Sequence, residues 1–364
     1  MSVTHETTAS RSVVVVDALA ARTGGTAQAA VEVARRLADG PDAEIIVIAR
    51  THSIVARGIE QRPGLRLVEL PHVRRLELTR RLTWQALVLP ELARREGAAS
   101  VLTWSGMLPR RVDGRVVCYL ANPVMFAGGG AANALRRWAV RRTVRRGADV
   151  LVPSRAMAEL VGEPLGVKPE VVPLGVDHAR FRPATAPGTE LLCVADFYRH
   201  KRHDVLLGAW VALPPPRPRL RLLGDPGVDR SWYREVTARA AHHRSLGEIT
   251  FESGLSPDRI VDAYRSARLL AVASEQESFC LPLLEAQASG VPAVARDLPV
   301  LRETGGEGTT YVSGDEPRAW AAAMLRLLTD EAAWKGARAA GLEHARGFSW
   351  EKTTAAVRAR LLPG

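Results

Sequence analysis

Two glutamates, Glu277 and Glu285, bracket the run ESFCLPLLE at residues 277–285, just beyond an apolar strand-like stretch at 269–272. Pro282 suits the first position of a helix, where its missing N–H costs nothing. That spacing puts Glu277 on the loop at the strand's carboxyl end and Glu285 in the first helical turn, so both can face one ligand. The amides of Ser278, Phe279 and Cys280, leading into Leu281, would lie beside the helix N-terminus, where N–H groups and the macrodipole favour phosphate oxygens. Glu285 would also complement the dipole by itself, a role worth about 0.3–1 kcal/mol.

A second constellation is YRHKRHD at 198–204, following the strand-like run 191–194. Arg199, Lys201 and Arg202 cluster at a strand end and suit a diphosphate, Lys201 as a point charge and the arginines as bidentate donors. A solvated basic turn has the same composition. The third is TGGT at 23–26, between the valine run 13–16 and a helical stretch at 27–37. Gly24 and Gly25 let backbone amides approach an anion at a helix N-terminus, and they equally suit a turn that needs positive φ.

Apolar β-branched runs alternating with segments of helical period must position these residues. Strands are expected at 13–16, 45–48, 65–68, 101–103, 116–119 and 150–152, then at 191–194, 220–223, 249–251, 269–272 and 292–294, with a helix-rich tail after Pro317. The pattern is that of β/α units around parallel sheets. The 364 residues exceed what one core usually serves, and the proline-rich stretch at 175–189 is the natural crossing between two domains. Two doubly wound domains facing each other would bind a ligand at the carboxyl ends of their strands.

Composition narrows the classes. Hydrophobic residues make up 46% and charged residues 24%, which excludes wholesale disorder and fibrous repeats. Cys118, Cys193 and Cys280 are far apart and odd in number, so neither a disulfide framework nor a zinc site is expected, and a cytoplasmic setting fits. The N-terminus is polar and carries no signal-peptide pattern, and no apolar run is long enough to cross a bilayer. No metal-ligand cluster or DxD pair stands out.

The order of TGG, PLGVD with Phe181 and Pro183, Lys201, LLGD at 222–225, FESG at 251–254, AYRSAR, ESFCLPLLEA, SGVPAVA and FSWEK resembles the retaining glycosyltransferases of family four, which have the GT-B fold. The likeness is dense over residues 150–355. It implies α/β architecture with two Rossmann-like domains across a cleft, 1–175 binding the acceptor and 176–364, with C-terminal helices, binding a nucleotide sugar. In those terms Glu285 would hold the ribose hydroxyls and Glu277 those of the transferred sugar. Lys201 would neutralise the diphosphate, with amides of Phe279 and Cys280 assisting it and Gly24 and Gly25 acting from the acceptor side. No cofactor beyond the nucleoside diphosphate sugar, UDP- or GDP-linked, is implied, and no metal. The family usually carries Arg five residues before the lysine, where this chain has Asp196. The family's acceptor-side histidine is replaced by a CYLANP segment, in which Asn122 would supply either an acceptor hydrogen bond or an Asn-Pro turn.

The net charge of +11 asks for anionic partners. Residues 1–175 hold 25 basic and 16 acidic residues, a net +9, whereas the remainder holds 25 and 23, a net +2. Six arginines lie at 136–146, and Arg74, Arg75, Arg80 and Arg81 lie beside Leu76, Leu78, Leu82 and Trp84. Such segments can lie on an anionic membrane, or be solvated faces of an Arg- and Ala-rich bacterial protein. Only 5% of residues are aromatic, and nothing suggests nucleic-acid binding. The leading expectation is a sugar transferase acting on a hydroxyl acceptor in a glycolipid, polysaccharide precursor or small natural product. A nucleotide-sugar epimerase of the same architecture and a catalytically idle nucleotide-sugar binder remain open.

Overall fold

Four consecutive valines are too apolar and too β-branched to stay wet or to favour a helix. In the computed structural model, which describes residues 11–21, 24–71, 77–108 and 110–362, they form the middle of β1 (Ser12–Asp17), and Val14, Val15 and Val16 are fully buried. Around β1 follow α1 (Gly24–Ala38), β2 (Ala43–Arg50), α2 (Ile54–Gly58), β3 (Leu65–Leu70) and α3 (Glu77–Arg95). Then come β4 (Ser100–Thr103), β5 (Arg115–Tyr119), α4 (Val124–Ala127), α5 (Ala131–Val144), β6 (Asp149–Val152), α6 (Arg155–Leu165) and β7 (Glu170–Val171). All pairings are parallel, in the order β3-β2-β1-β4-β5-β6-β7. The central strands β1, β2 and β4 are buried on both faces, which is why they read as apolar runs, whereas the edge strand β3 exposes Arg66 and Glu69.

The second sheet repeats the plan. It contains β8 (Glu190–Val194), α7 (His203–Ala212), β9 (Leu220–Leu223), α8 (Arg230–Ala241), β10 (Ile249–Glu252), α9 (Pro257–Ser266) and β11 (Ala267–Val272). These lead on to α10 (Leu281–Ala288), β12 (Ala293–Arg296), α11 (Pro299–Gly305), β13 (Thr309–Val312), α12 (Pro317–Thr329) and α13 (Glu331–Ala345). The order is β10-β9-β8-β11-β12-β13. The core on one side of this sheet centres on Trp210, Trp320, Leu206 and Met324, packed against Leu191, Leu222 and Leu269. Every expected strand forms. Two others do not show in the sequence pattern, β7 and β13, because a two-residue edge strand and a Thr-Thr-Tyr-Val run after a glycine-rich turn carry no apolar block.

The chain divides into Met1–Pro173 with Trp350–Gly364, and Leu174–Ser349. Residues 350–364, expected with the second domain, therefore belong to the first. The last helix, α14 (Trp350–Leu361), buries Trp350, Thr353, Thr354, Val357 and Leu361, a stripe of helical period. Thr353 donates to the Pro173 carbonyl at 2.8 Å. Arg360 meets Glu170 at 2.6 Å, Glu351 meets Arg36 at 3.2 Å, and Arg358 pairs with Asp42. Amphipathic period shows in the sequence, but which core it serves depends on where the chain has travelled.

Thr23, Arg74, Arg75 and Leu76 lie outside the described residues. Of the other residues in that basic group, Leu82 and Trp84 on α3 turn inward against the core of the first unit. No helix among the described residues is long and apolar enough to cross a membrane.

Candidate active site

In the second unit, β8 and β11 are neighbours whose onward connections run to opposite sides of the sheet, the switch point at which doubly wound folds bind ligands. Beyond β8, Asp196 accepts from the Asp225 amide at 3.0 Å and so ties the β8 exit to the β9 exit. The chain then makes a 3-10 turn over Arg199–Lys201 and enters α7 through Arg202 in the left-handed region, φ 50°. His203 locks this turn: its ring stacks on Phe197 at 4.4 Å and bonds the Ala195 carbonyl at 3.3 Å. Burial pushes its pKa down to about 4, so the imidazole is neutral at pH 7.

Beyond β11, the Glu275 amide donates to the His200 carbonyl at 2.7 Å, joining the two strand exits. Cys280 adopts φ 80° and turns the chain into α10, with Pro282 at its second position rather than the first, still within the turn whose N–H groups have no intrahelical partner. Phe279, Cys280 and Leu281 bury their side chains, and Thr304 donates to the Phe279 carbonyl. The helix begins at Leu281, so Glu285 sits one full turn in rather than in the first turn.

These two loops bring Lys201 and Glu277 together: Nζ donates to Oε1 at 2.7 Å, with the side chains 19% and 11% exposed. Burial alone would push the ammonium to lose its proton, but the Glu277 carboxylate outweighs it and the Lys201 pKa lies above its ordinary value. The sequence places these residues 76 positions apart. Glu285 is buried too, and Tyr264 of α9 donates to its Oε2 at 2.8 Å. Tyr264 is fully buried and packs edge-on against Phe181 at 5.6 Å.

The other two expected cations are engaged elsewhere. Arg199 lies over the Trp232 ring at 4.9 Å and meets Glu235 at 3.3 Å. Arg202 binds Asp204 at 3.1 Å, Asp315 at 2.6 Å and also Glu275, which raises its pKa. Of the three, it is Lys201 that reaches Glu277. Ser278 lies half-buried between Glu277 and the buried Phe279.

In the first unit, Gly24 opens α1 at φ 58°, with Gly25 next to it in the first turn. Asn122 is exposed, and its Oδ1 accepts from the Val124 amide at 3.1 Å in an Asn-Pro turn. A residue missed in the sequence is Asp17, at the carboxyl end of β1 and fully buried. It accepts from Gln85 at 2.6 Å, Thr103 at 2.9 Å and the Leu19 amide at 3.2 Å. Burial raises its pKa, opposed by these bonds. An acid directly ending a valine run was the available signal, as AYRSAR was for Tyr264. Among the described residues no three His, Cys, Asp or Glu side chains converge as a metal site.

Two parallel Rossmann-like units define a GT-B protein, and comparison with solved structures agrees. Sucrose-phosphate synthase from Thermosynechococcus elongatus superposes with a TM-score of 0.79 at 20% identity, covering 95% of this chain and 97% of that one. The Anabaena protein HepE in complex with UDP-glucose gives 0.76 at 13%, covering 95% and 98%. WaaG, a glycosyltransferase involved in lipopolysaccharide biosynthesis, gives 0.74 at 14%, covering 97% and 100%.

The family model for Glycosyl transferases group 1 matches residues 180–343 and that for Glycosyltransferase Family 4 matches residues 23–180. The chain belongs to glycosyltransferase family 4. Curated relatives include the D-inositol 3-phosphate glycosyltransferases of Nocardia farcinica, 33% identical over 224 residues (57% of this chain, 49% of the relative), and Kineococcus radiotolerans, 32% identical over 267 residues (64% and 61%). This chain spans about half the length of most of the curated relatives it matches.

Proposed function

We propose that the chain transfers a hexosyl group from a nucleoside diphosphate sugar to a hydroxyl acceptor with retention at the anomeric carbon. The observation that carries this is the half-buried Lys201–Glu277 pair at the β8/β11 switch point. In the reaction, the bond between the anomeric carbon and the diphosphate oxygen breaks and its electron pair leaves with the nucleoside diphosphate. The acceptor oxygen bonds the same face of that carbon and gives its proton to the departing phosphate.

Negative charge therefore grows on the diphosphate, where fixed donors stabilise the transition state more than the ground state. Lys201 supplies the cation, and the amides of Phe279 and Cys280 supply dipoles at the α10 N-terminus. Glu277 holds hydroxyls of the transferred sugar through the oxygen that it does not give to Lys201. Glu285 receives the ribose hydroxyls, its carboxylate oriented by Tyr264. Gly24 and Gly25 act from the acceptor side. Asp196, in the place of an arginine, leaves Lys201 as the cation on which this scheme relies.

The test is incubation with UDP- and GDP-hexoses and a mixed acceptor pool, with D-inositol 3-phosphate, named for the relatives, tried first. Expected outcomes are nucleoside diphosphate release, a product retaining the donor's anomeric configuration by NMR, and an unchanged rate in excess EDTA. A sugar epimerised without transfer would replace this proposal with the isomerase alternative, and binding without release would replace it with an idle binder. A cytoplasmic setting belongs to the same proposal, and the three free, buried thiols suit it.

A further inference from the structure

Assigning α14 to the first unit sharpens the charge distribution. Met1–Pro173 with Trp350–Gly364 holds 28 Lys and Arg against 17 Asp and Glu, so it carries the whole net +11, while Leu174–Ser349 holds 22 of each. Within the first unit the excess concentrates on one helix. Between Asp113 and Asp149 the chain has seven arginines and no acid, and six of the seven fall on α5 and the turn after it.

The exposed face of α5 is not purely cationic. Ala139, Val140, Thr143 and Val144 face the core, and the opposite stripe carries Leu135, 41% exposed, and Trp138, 52% exposed. Arg141, Arg142 and Arg145 follow Trp138 at helical spacings of three, four and seven. A shallow groove on this helix is lined by Trp138 and by Arg137, Arg141, Arg142, Arg145 and Arg146. The Arg142 guanidinium lies 5.9 Å from the Trp138 ring centre. Arg137 and Arg141 donate from their guanidinium groups to main-chain carbonyls, Arg137 at Met125 and Gly128 and Arg141 at Pro164, which orients those groups without supplying a negative charge. At the start of the same segment, Val124 of α4 is also exposed.

An indole and a leucine held in the middle of an arginine stripe match the interface of a bilayer. There indole rings settle at headgroup depth, apolar side chains reach the acyl boundary and guanidinium groups meet lipid phosphates. A polynucleotide would satisfy the arginines and leave Leu135 in water. On α3, Leu82 and Trp84 pack inward while Leu87 and Val88 are exposed, but there Glu91 pairs with both Arg94 and Arg95 and supplies the acidic residue that the α5 segment lacks. We propose that the exposed face of α5, Leu135 and Trp138 flanked by Arg141, Arg142, Arg145 and Arg146, docks the protein on an anionic lipid surface.

The test is co-sedimentation of the full chain with vesicles of phosphatidylcholine alone, or with 30% phosphatidylglycerol, at low and at 0.5 M salt. Binding is expected to the anionic vesicles at low salt and to fall at least tenfold in high salt. Replacing Arg141, Arg142, Arg145 and Arg146 by Gln should lower vesicle affinity tenfold or more. The pair Leu135→Ala and Trp138→Ala should lower it several-fold with net charge unchanged, and circular dichroism should stay native in both variants. Equal binding to neutral vesicles, or no binding at low salt, overturns the proposal. So does an arginine-only effect with heparin competing fully, which would mark a polyanion site, or release by millimolar inorganic phosphate, which would mark a small-anion site.

Discussion

Lys201 and Glu277 neutralise each other in a site largely withdrawn from water, so removing either leaves the other buried without its partner. Glu277→Gln keeps the shape and loses the charge, and Lys201→Ala removes the cation. Each is expected to lower turnover by at least a hundredfold while the circular dichroism spectrum stays native, and near-normal rates in both would overturn the site assignment. Tyr264 acts at one remove, through Glu285. Tyr264→Phe deletes a hydrogen bond to a carboxylate, worth about 1.5–3 kcal/mol. The donor KM should therefore rise about tenfold or more with kcat changed far less; an unchanged KM, or a loss confined to kcat, would remove Tyr264 as a positioning residue. The glutamates, the lysine and the glycines stood out as candidates because their types and spacing are chemically unusual. Tyr264 and Asp17 were not, because a buried tyrosine or aspartate declares its role only through the partner that the fold brings to it.

At the scale of elements, α14 is the one whose membership differs from the expectation. It closes over the first unit with Trp350 fully buried at its start. Trp350→Ala should cost about 3–5 kcal/mol, and because it acts on the first unit it should lower that unit's melting transition and leave the Leu174–Ser349 transition nearly unmoved. A shift confined to the second transition would contradict the assignment. Strand positions were legible, since buried parallel strands must be apolar on both faces. The short edge strands β7 and β13 were not, since their neighbours rather than their own residues decide that they pair.

Across the whole molecule the two units respond differently to acid. Burial holds the His203 pKa at about 4 against an ordinary 6.5, so between those values the unfolded chain binds a proton that the folded chain does not. Stability of the second unit therefore falls as pH drops through that window. In the first unit Asp17, raised above 3.8 by burial, works in the opposite sense: its contribution is largest in acid and is lost as pH rises. Between pH 7.5 and pH 5 His203 alone should cost the second unit about 2 kcal/mol, or about 6 °C in Tm at its size, and His200, whose pKa burial also lowers, adds in the same direction. His203→Gln should remove the His203 share of that loss, and calorimetry at the two pH values reads both effects; an equal shift of both transitions would refute the assignment.

The sequence by itself determined that this chain folds as two parallel α/β units, that it belongs with sugar transferases, and which motifs line the strand ends. The fold and the strand-end motifs follow from local chemistry, namely the period of apolar residues, the proline and glycine positions and charged side chains at loops, whereas the family follows from the resemblance carried by the order of its motifs. Only the tertiary structure decided that Lys201 meets Glu277, while Arg199 and Arg202 turn to other carboxylates. The same holds for Tyr264 at Glu285 and for the return of the last helix to the first unit, which gathers the entire +11 there. These are long-range pairings, set by which surfaces the topology juxtaposes, and no residue carries that information alone.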